Sequence, residues 1–560
     1  MRMSEPVQPA DPSDPYERTA QTFPVLPPDM IERMTAFGEE EVLADGTYVF
    51  QRGERTVDFF VILDGKIDIM TFDDCGRSEL VHSHRAGQFT GEIDLFNDRK
   101  ILVSGRTVGE TRVSRIGRAA FARMIAAEPD IGEVIMRAFI LRRVGLVQHQ
   151  TGGATLLGPA HSADVVRLNS FLTRNTYPHR VIDTEEDADG LGFLDHFGIA
   201  KADLPVVLCD GHVLRNPSNH ALADCLGLSL DIDPDHLHDL VVVGAGPAGL
   251  AAAVYGASEG LSTLIIEGTA PGGQAGTSSK IENYLGFPTG ISGQALAGRA
   301  LMQAQKFGAR LAVSRDVTEI DCGGGDSYSL TLEGGAKVKG RSVVIASGAR
   351  YRKLDLPDYD RFEGAGIHYA ATAMEAGLCA DRPVVVVGGG NSAGQAVMFL
   401  SRTVSHVHML VRSGGLAATM SNYLIERIEA SDRITLHPYC AVTGLEGDAH
   451  LEAVTWFDTS LDKEVRQEVG ALFVMIGAVP NTDWLNHCLE LDKNGFVVTG
   501  SPLSPYETTR PGLFAVGDVR SGSVKRVASG VGEGSVVVQA IHRYLEEQGR
   551  TASDTAQAAE

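Results

Sequence analysis

Nowhere in the 560 residues does a Cys-x-x-Cys occur, and the seven cysteines, Cys75, Cys209, Cys225, Cys322, Cys379, Cys440 and Cys488, are scattered. That excludes a local redox dithiol and a thiolate zinc site, and it makes free thiols in a reducing compartment the expectation. No metal site is expected. Cations are also in deficit: 49 Lys and Arg against 72 Asp and Glu leave a net charge of -23. A surface of that sign argues against nucleic acid or an anionic membrane as partner. The sequence has no uninterrupted apolar run long enough to span a bilayer and no recognisable leader, so a soluble, cytoplasmic protein is expected. The length predicts about four domains.

What is present begins with Asp-Leu-Val-Val-Val-Gly-Ala-Gly-Pro-Ala-Gly-Leu at 239–250. A buried apolar strand leads into Gly244, Gly246 and Gly249, with Pro247 and Ala248 opening a small-residue helix. Gly244 suits the tight turn, Gly246 lets backbone approach a pyrophosphate, and Gly249 lets helix and strand pack closely. The next strand ends at Glu267, a carboxylate placed for the ribose hydroxyls of an adenosine. A second signature, Pro-Val-Val-Val-Val-Gly-Gly-Gly-Asn-Ser-Ala-Gly, spans 383–394 and offers Gly388, Gly390, Asn391, Ser392 and Ala393 to a second dinucleotide. Its following strand, 406–411, ends at Arg412 rather than an acid. A cation there suits a 2′-phosphate, so NADPH is favoured over NADH, with NADH left open.

Five further segments occur in a fixed order: Pro-Gly-Gly-Gln (271–274), Lys-Ile-Glu-Asn-Tyr-Leu-Gly-Phe-Pro (280–288), Ile-Ala-Ser-Gly-Ala (345–349), Val-Met-Ile-Gly-Ala-Val-Pro-Asn-Thr (474–482) and Pro-Gly-Leu-Phe-Ala-Val-Gly-Asp-Val (511–519). With the two signatures they make 238–545 resemble bacterial thioredoxin reductases. The resemblance implies FAD on the first signature, with Gly273, Gln274 and Asn283 near it, Gly517 allowing close approach and Asp518 on the ribityl chain. It implies that Lys525, Arg526 and Val527 open a helix facing the flavin. It further implies an FAD domain of 238–355 and 479–545, interrupted by an NAD(P)H domain of 356–478 on a two-strand hinge, and a homodimer.

One departure from the family is complete. Aligned by Tyr369 and Thr372, Ala370 and Ala373 stand where the family has its two cysteines, and Met374 where it has an acid. Alanine offers no nucleophile for a flavin adduct or a mixed disulfide, so thioredoxin cannot be reduced by the familiar route. Cys379, at the end of an expected helix over 371–378, reads as a small buried hydrophobe. Catalytic residues are left unassigned. Three readings follow: an NAD(P)H-dependent FAD oxidoreductase passing electrons from flavin directly to an unidentified acceptor, a sensing flavoprotein, or a thiol reductase working through a distant cysteine.

Ahead of this region, 23–150 alternates like a β-rich module (46–50, 59–63, 66–72) and closes with helical spacing at 134–147. It resembles a cyclic-nucleotide-binding domain, carried by Gly53-Glu54, Asp64-Gly65 and Gly-Gln-Phe-Thr-Gly-Glu-Ile-Asp-Leu at 87–95. That resemblance implies Gly91 and Glu92 at a ribose and Arg99 on a cyclic phosphate, although the loop to Arg99 is short and Lys100-Ile101 depart from the pattern. A cyclic nucleotide is thus a candidate effector. Residues 152–230 resemble a thioredoxin or glutaredoxin fold with Pro205 ahead of a hairpin and His161-Ser162-Ala163-Asp164 at the expected Cys-x-x-Cys corner. The fold class is therefore multidomain α/β: a β-rich cyclic-nucleotide-binding-like domain, a degenerate thioredoxin-like domain and two Rossmann-like domains. Residues 1–22 and 546–560 read as loosely held tails.

Overall fold

The structure, a computed structural model, describes residues 14–558 except 73–77, 98, 186–198, 210, 279–280, 282, 324–326, 370, 372, 417–419, 486 and 503. Cys75, Ala370, Thr372 and residues 186–198 of the thioredoxin-like segment fall outside the described residues. The chain divides into two compact units: Met1–Leu156, Asn175–Val181 and Val206–Asp231 form one, and Leu157–Arg174, Ile182–Pro205 and Ile232–Glu560 the other. The segment 152–230, expected as one domain, contributes to both.

In the first unit, β1 (Glu39–Leu43), β2 (Tyr48–Phe50), β3 (Phe59–Asp64), β4 (Lys66–Phe72), β5 (Ser78–Arg85), β6 (Ser104–Thr107) and β7 (Thr111–Ile116) form two antiparallel sheets, ordered β1-β7-β3 and β2-β6-β4-β5. Alternation of buried and half-buried residues along β4 points Ile67 and Ile69 inward, as a one-faced sheet demands. Phe59, Phe89, Phe121 and Phe139 form the aromatic heart of the core, the last two carried by helices Arg118–Ala127 and Pro129–Gln148. The first tail is corrected in part. Thr22 is fully buried, and its carbonyl accepts from Arg142 Nε at 2.9 Å, so residues 14–22 are held against the long helix.

The thioredoxin-like segment has β8 (Ala154–Gly158), helix Ala163–Arg174, β9 (His179–Asp183), β10 (Val206–Cys209), β11 (His212–Arg215) and helix Asn219–Cys225, with sheet order β11-β10-β8-β9 and a cis Leu204–Pro205 bond. The second unit holds β12 (Leu237–Val243), β13 (Thr263–Glu267), β14 (Arg310–Val313), β15 (Val317–Asp321), β16 (Tyr328–Leu332) and β17 (Lys337–Ile345) in the order β14-β13-β12-β17-β16-β15, with Leu513–Ala515 parallel to β17. β18 (Ala349–Tyr351) pairs antiparallel with Ala478–Pro480, a two-strand connection at the edges of the inserted domain. Within the insert, β19 (Ile367–His368), β20 (Val384–Val387), β21 (Val407–Leu410), β22 (Ile434–His437), β23 (Cys440–Gly447), β24 (Leu451–Asp458), β25 (Lys463–Glu468) and β26 (Ala471–Val474) build a parallel sheet β19-β26-β20-β21-β22 beside the antiparallel β23-β24-β25. The four valines of β20 are all buried, as a strand covered on both faces requires.

Two expectations are overturned. The segment taken as a C-terminal tail instead continues helix Val527–Ala558. Four cysteines are not free: Cys209 is joined to Cys225 and Cys322 to Cys488, with Cα separations of 6.9 and 6.1 Å. Spacing hides both pairs, because a hairpin and a returning helix close the first and 166 residues of chain separate the second. Cys379 and Cys440 remain free and buried.

Candidate functional site

The first glycine turn is built by sterics. At Gly244, where φ is +105°, a Cβ would collide with the Ala346 carbonyl oxygen, and at Gly249 a Cβ would collide with Gly244 itself. Gly246 is the opposite case, with open space where a side chain would stand. Helix Pro247–Ser258 begins there without a side-chain cap, and since Pro247 has no N–H, the N–H groups of Ala248 and Gly249 are the first that the turn leaves without a capping side chain. An anion site follows from these donors and the helix dipole.

Three other segments converge on the turn. The Gly272 N–H donates to the Ala245 carbonyl at 2.7 Å, and a Cβ on Gly273 would lie 3.2 Å from Gly246 Cα. Gln274 donates through Nε2 to the carbonyl of Ala349, tying this loop to β18. Arg174, whose guanidinium burial disfavours, donates to the Gly273 carbonyl at 3.3 Å. Glu267 accepts from the N–H groups of Ala245 (2.8 Å), Thr269 (3.0 Å) and Ala270 (3.2 Å), so it organises the turn. Burial pushes its carboxyl above the ordinary range, and those backbone donors oppose the rise.

The last segment is Gly517 to Gly534. Gly517 N–H donates to Glu533 Oε2 at 2.6 Å, and Arg520 donates to Glu533 Oε1 at 2.6 Å. Lys525 Nζ donates to the Asp518 carbonyl at 2.9 Å and lies 4.3 Å from the Phe496 ring centroid. Burial raises the Asp518 carboxyl and lowers the Lys525 ammonium, and each opposes the other's shift. Arg526 is exposed just before helix Val527–Ala558, whose Gly530 and Gly534 press against Ala248. Asn283 is exposed in the turn between the bridged Ile281 and Ile291. Sequence reasoning missed Arg174, Arg520 and Glu533. For Glu533 the available signal was a lone acid in a run of small residues.

The second glycine turn repeats the logic. Gly388, at φ +142°, has no room for a Cβ beside the Met475 carbonyl, whereas Gly390 is open and begins the uncapped helix Asn391–Leu400. Asn391 Oδ1 accepts from the Ser421 N–H at 2.8 Å, Ser392 is exposed and Ala393 is buried. Arg412 is exposed beyond β21 with no ion-pair partner among the described residues. Tyr369 stacks on Tyr351 of β18 at 5.3 Å and donates to Glu363 at 2.8 Å.

In the first unit, Arg143 donates to Glu92 at 2.7 Å and also to Asp94, and Arg99 Nη1 donates to the Asn175 carbonyl at 3.3 Å. Gly91, at φ +101°, has no room for a Cβ beside Leu95, and its carbonyl accepts from Arg142 at 2.7 Å. Among the described residues no cluster could hold a metal ion, and no helix is long and apolar enough to cross a membrane.

Residues 238–534 match the pyridine nucleotide-disulphide oxidoreductases. The chain belongs to that family. Thioredoxin reductase of Bacillus subtilis is 32% identical over 56% of this chain and 96% of its own length. That of Treponema pallidum is 34% identical over 55% and 97%. The solved thioredoxin reductase of Lactococcus lactis is 27% identical, covering 55% of this chain and 99% of its own, with a TM-score of 0.52. Residues 40–128 match the cyclic nucleotide-binding domain. The chain is thus an NAD(P)H-dependent oxidoreductase, with FAD and NADPH as the family's cofactors. Open Gly246 and Gly390, each heading an uncapped helix, fit the two pyrophosphates.

Proposed function

We propose that this chain passes reducing equivalents from NADPH through FAD to an acceptor that meets the flavin directly, a quinone or a one-electron carrier. The observation carrying this reading is the sequence Ala370-Ala371-Thr372-Ala373-Met374, which puts no thiol and no acid where the family's dithiol works. The two free thiols among the described residues offer no substitute. Burial pushes the Cys379 thiol up to about 11, and the thiol donates to the Glu375 carbonyl at 3.1 Å. Burial also raises Cys440. A thiol held protonated is a poor nucleophile.

FAD, when bound, supplies hydride acceptance from NADPH and electron donation onward. The chain's own residues hold it: the helix N-terminus over Gly246 faces the pyrophosphate, Arg174 and Gln274 fix the adjoining loop, and Glu533 with Arg520 fixes the loop that presents Asp518 to a ribityl hydroxyl. Lys525, Arg526 and Val527 stand at the opening of the last helix, where positive potential favours electron-rich flavin. Gly388, Gly390, Asn391, Ser392 and Ala393 receive NADPH, and Arg412 meets its 2′-phosphate. Asn283 belongs to the flavin side by the resemblance. Two copies pairing through their FAD domains is the expected assembly.

The test is NADPH oxidation with ferricyanide, menadione or thioredoxin as acceptor, on the native chain and on one with all seven cysteines replaced by serine. Ferricyanide and quinone turnover should persist in both. Thioredoxin reduction by the native chain, lost in the serine variant, would overturn the proposal in favour of a distant cysteine. A second reading, a flavoprotein responsive to NAD(P)H and to a nucleotide, rests on the domain at 40–128. It expects flavin reduction without acceptor turnover.

A further inference from the structure

The first unit contains a cavity enclosing about 620 Å³ of empty space, its open mouth included. Phe23, Phe50, Val57, Ile69, Ile101 and Val103 give it an apolar wall. Into this wall the long helix 129–148 sends Arg142, a side chain only 5% exposed. Its Nε donates to the Thr22 carbonyl at 2.9 Å and Nη1 to the Gly91 carbonyl at 2.7 Å, but Nη2 has no partner. No carboxylate forms an ion pair with it among the described residues. A buried guanidinium lacking an anion is costly, and burial drives its pKa down to about 9. His82 Nε2 and His84 Nδ1, in the same wall, are likewise unpartnered.

The charges that the cyclic-nucleotide resemblance points to are arranged otherwise. Glu92 and Asp94 share Arg143 in a buried triad that also feels the charge of Arg99, Arg99 itself donates to a backbone carbonyl, and Glu92 lines the cavity with its Oε2 unpartnered. Arg99 is not part of the cavity wall. A cyclic nucleotide could place a ribose hydroxyl on Glu92, but its polar base would lie against the apolar side chains that make up most of the wall, at a cost of about 1–3 kcal/mol for each group left unpaired. A molecule with an apolar body and one negative group meets the cavity's need without that penalty.

We propose that this cavity binds a compact apolar monocarboxylate, aromatic or aliphatic, with its carboxylate on Arg142. Residues 16–23 belong to the site: Tyr16 and Phe23 line it, and Phe23 stacks on His82 at 3.5 Å between centroids. Occupancy therefore secures this segment against the long helix.

Calorimetric titration of the full-length holoprotein with phenylacetate and octanoate, their alcohol counterparts, and cyclic AMP and GMP tests this. The acids should bind, and the alcohols should bind roughly tenfold weaker or worse, the usual weight of a charge-assisted hydrogen bond. Arg142→Met should bring acid affinity down to that of the alcohol. Should that variant fold poorly, Val103→Phe, which fills the cavity with Arg142 intact, should abolish acid binding. Equal binding of acid and alcohol overturns the proposal, as does failure of both acids to bind. Binding of cyclic AMP or GMP alone, lost in Arg99→Ala, would return the site to a nucleotide.

Discussion

The glycine turn after β12 and the loop after β5 are both short, glycine-bearing segments matched to nucleotide-binding families, yet they leave opposite things unsatisfied. At the turn, the helix N-terminus has no capping side chain and Gly246 borders open space, while the charged residues nearby, Glu267, Arg174 and Glu533, are engaged in holding loops. In the loop, Glu92, Asp94 and Arg99 are engaged with Arg143 and Asn175 through one atom each and keep a second atom unpartnered, while Arg142, which meets only carbonyls, is the cation without a hydrogen-bonded carboxylate. A family match locates a scaffold, and the unsatisfied atoms locate the ligand.

The comparison breaks most visibly at Gly246. Gly246→Val adds a side chain into open space, so thermal stability should barely change while flavin absorbance per chain falls by more than tenfold. If flavin stays bound, the turn is not its cradle. Arg143→Met removes the cation that hydrogen-bonds Glu92 and Asp94 and leaves both buried with only Arg99 as a more distant countercharge. The first unit should lose about 3–5 kcal/mol in denaturant unfolding, with flavin content unchanged. A loss confined to ligand binding would show that the triad is a binding site after all.

The second glycine turn extends the contrast. Arg412→Ala should raise the KM for NADPH roughly tenfold and leave that for NADH alone, measured with ferricyanide as acceptor. Equal changes for both nucleotides would remove Arg412 from the 2′-phosphate. The smallest effect expected is on pH dependence. His82 and His84 are held neutral by burial, His82 down to about 4. The unfolded chain takes up protons near pH 6.5 that the folded one refuses, so their contribution is full above 6.5 and fades as pH falls toward 4. Unfolding midpoints of the first unit should decline across that window, with a shallower slope in His82→Gln/His84→Gln.

How much of this was readable in advance depends on distance along the chain. The strand, turn and helix at 239–258 were legible because each residue's reason is local: an apolar run, a turn without Cβ, small residues against a strand. The same holds for β20 and for the hairpin after Pro205. Long-range pairings were not legible. Glu533 gains its role from Arg520 and the Gly517 N–H, and Cys322 finds Cys488 across 166 residues of the second unit. Arg142 and Arg143 stand side by side in one helix, and only their partners, carbonyls for the first and carboxylates for the second, distinguish them. Residues 14–22 looked like a tail by composition, yet Arg142 supplies their anchor.

One contact sets an order of events. Ala248 lies beneath Gly530 and Gly534, although nearly three hundred residues separate them in translation. The turn that begins at Gly244 leaves the ribosome well before the helix that covers it. A nascent chain therefore carries a half-built cradle through that whole interval, and loading of the prosthetic group waits for the covering helix.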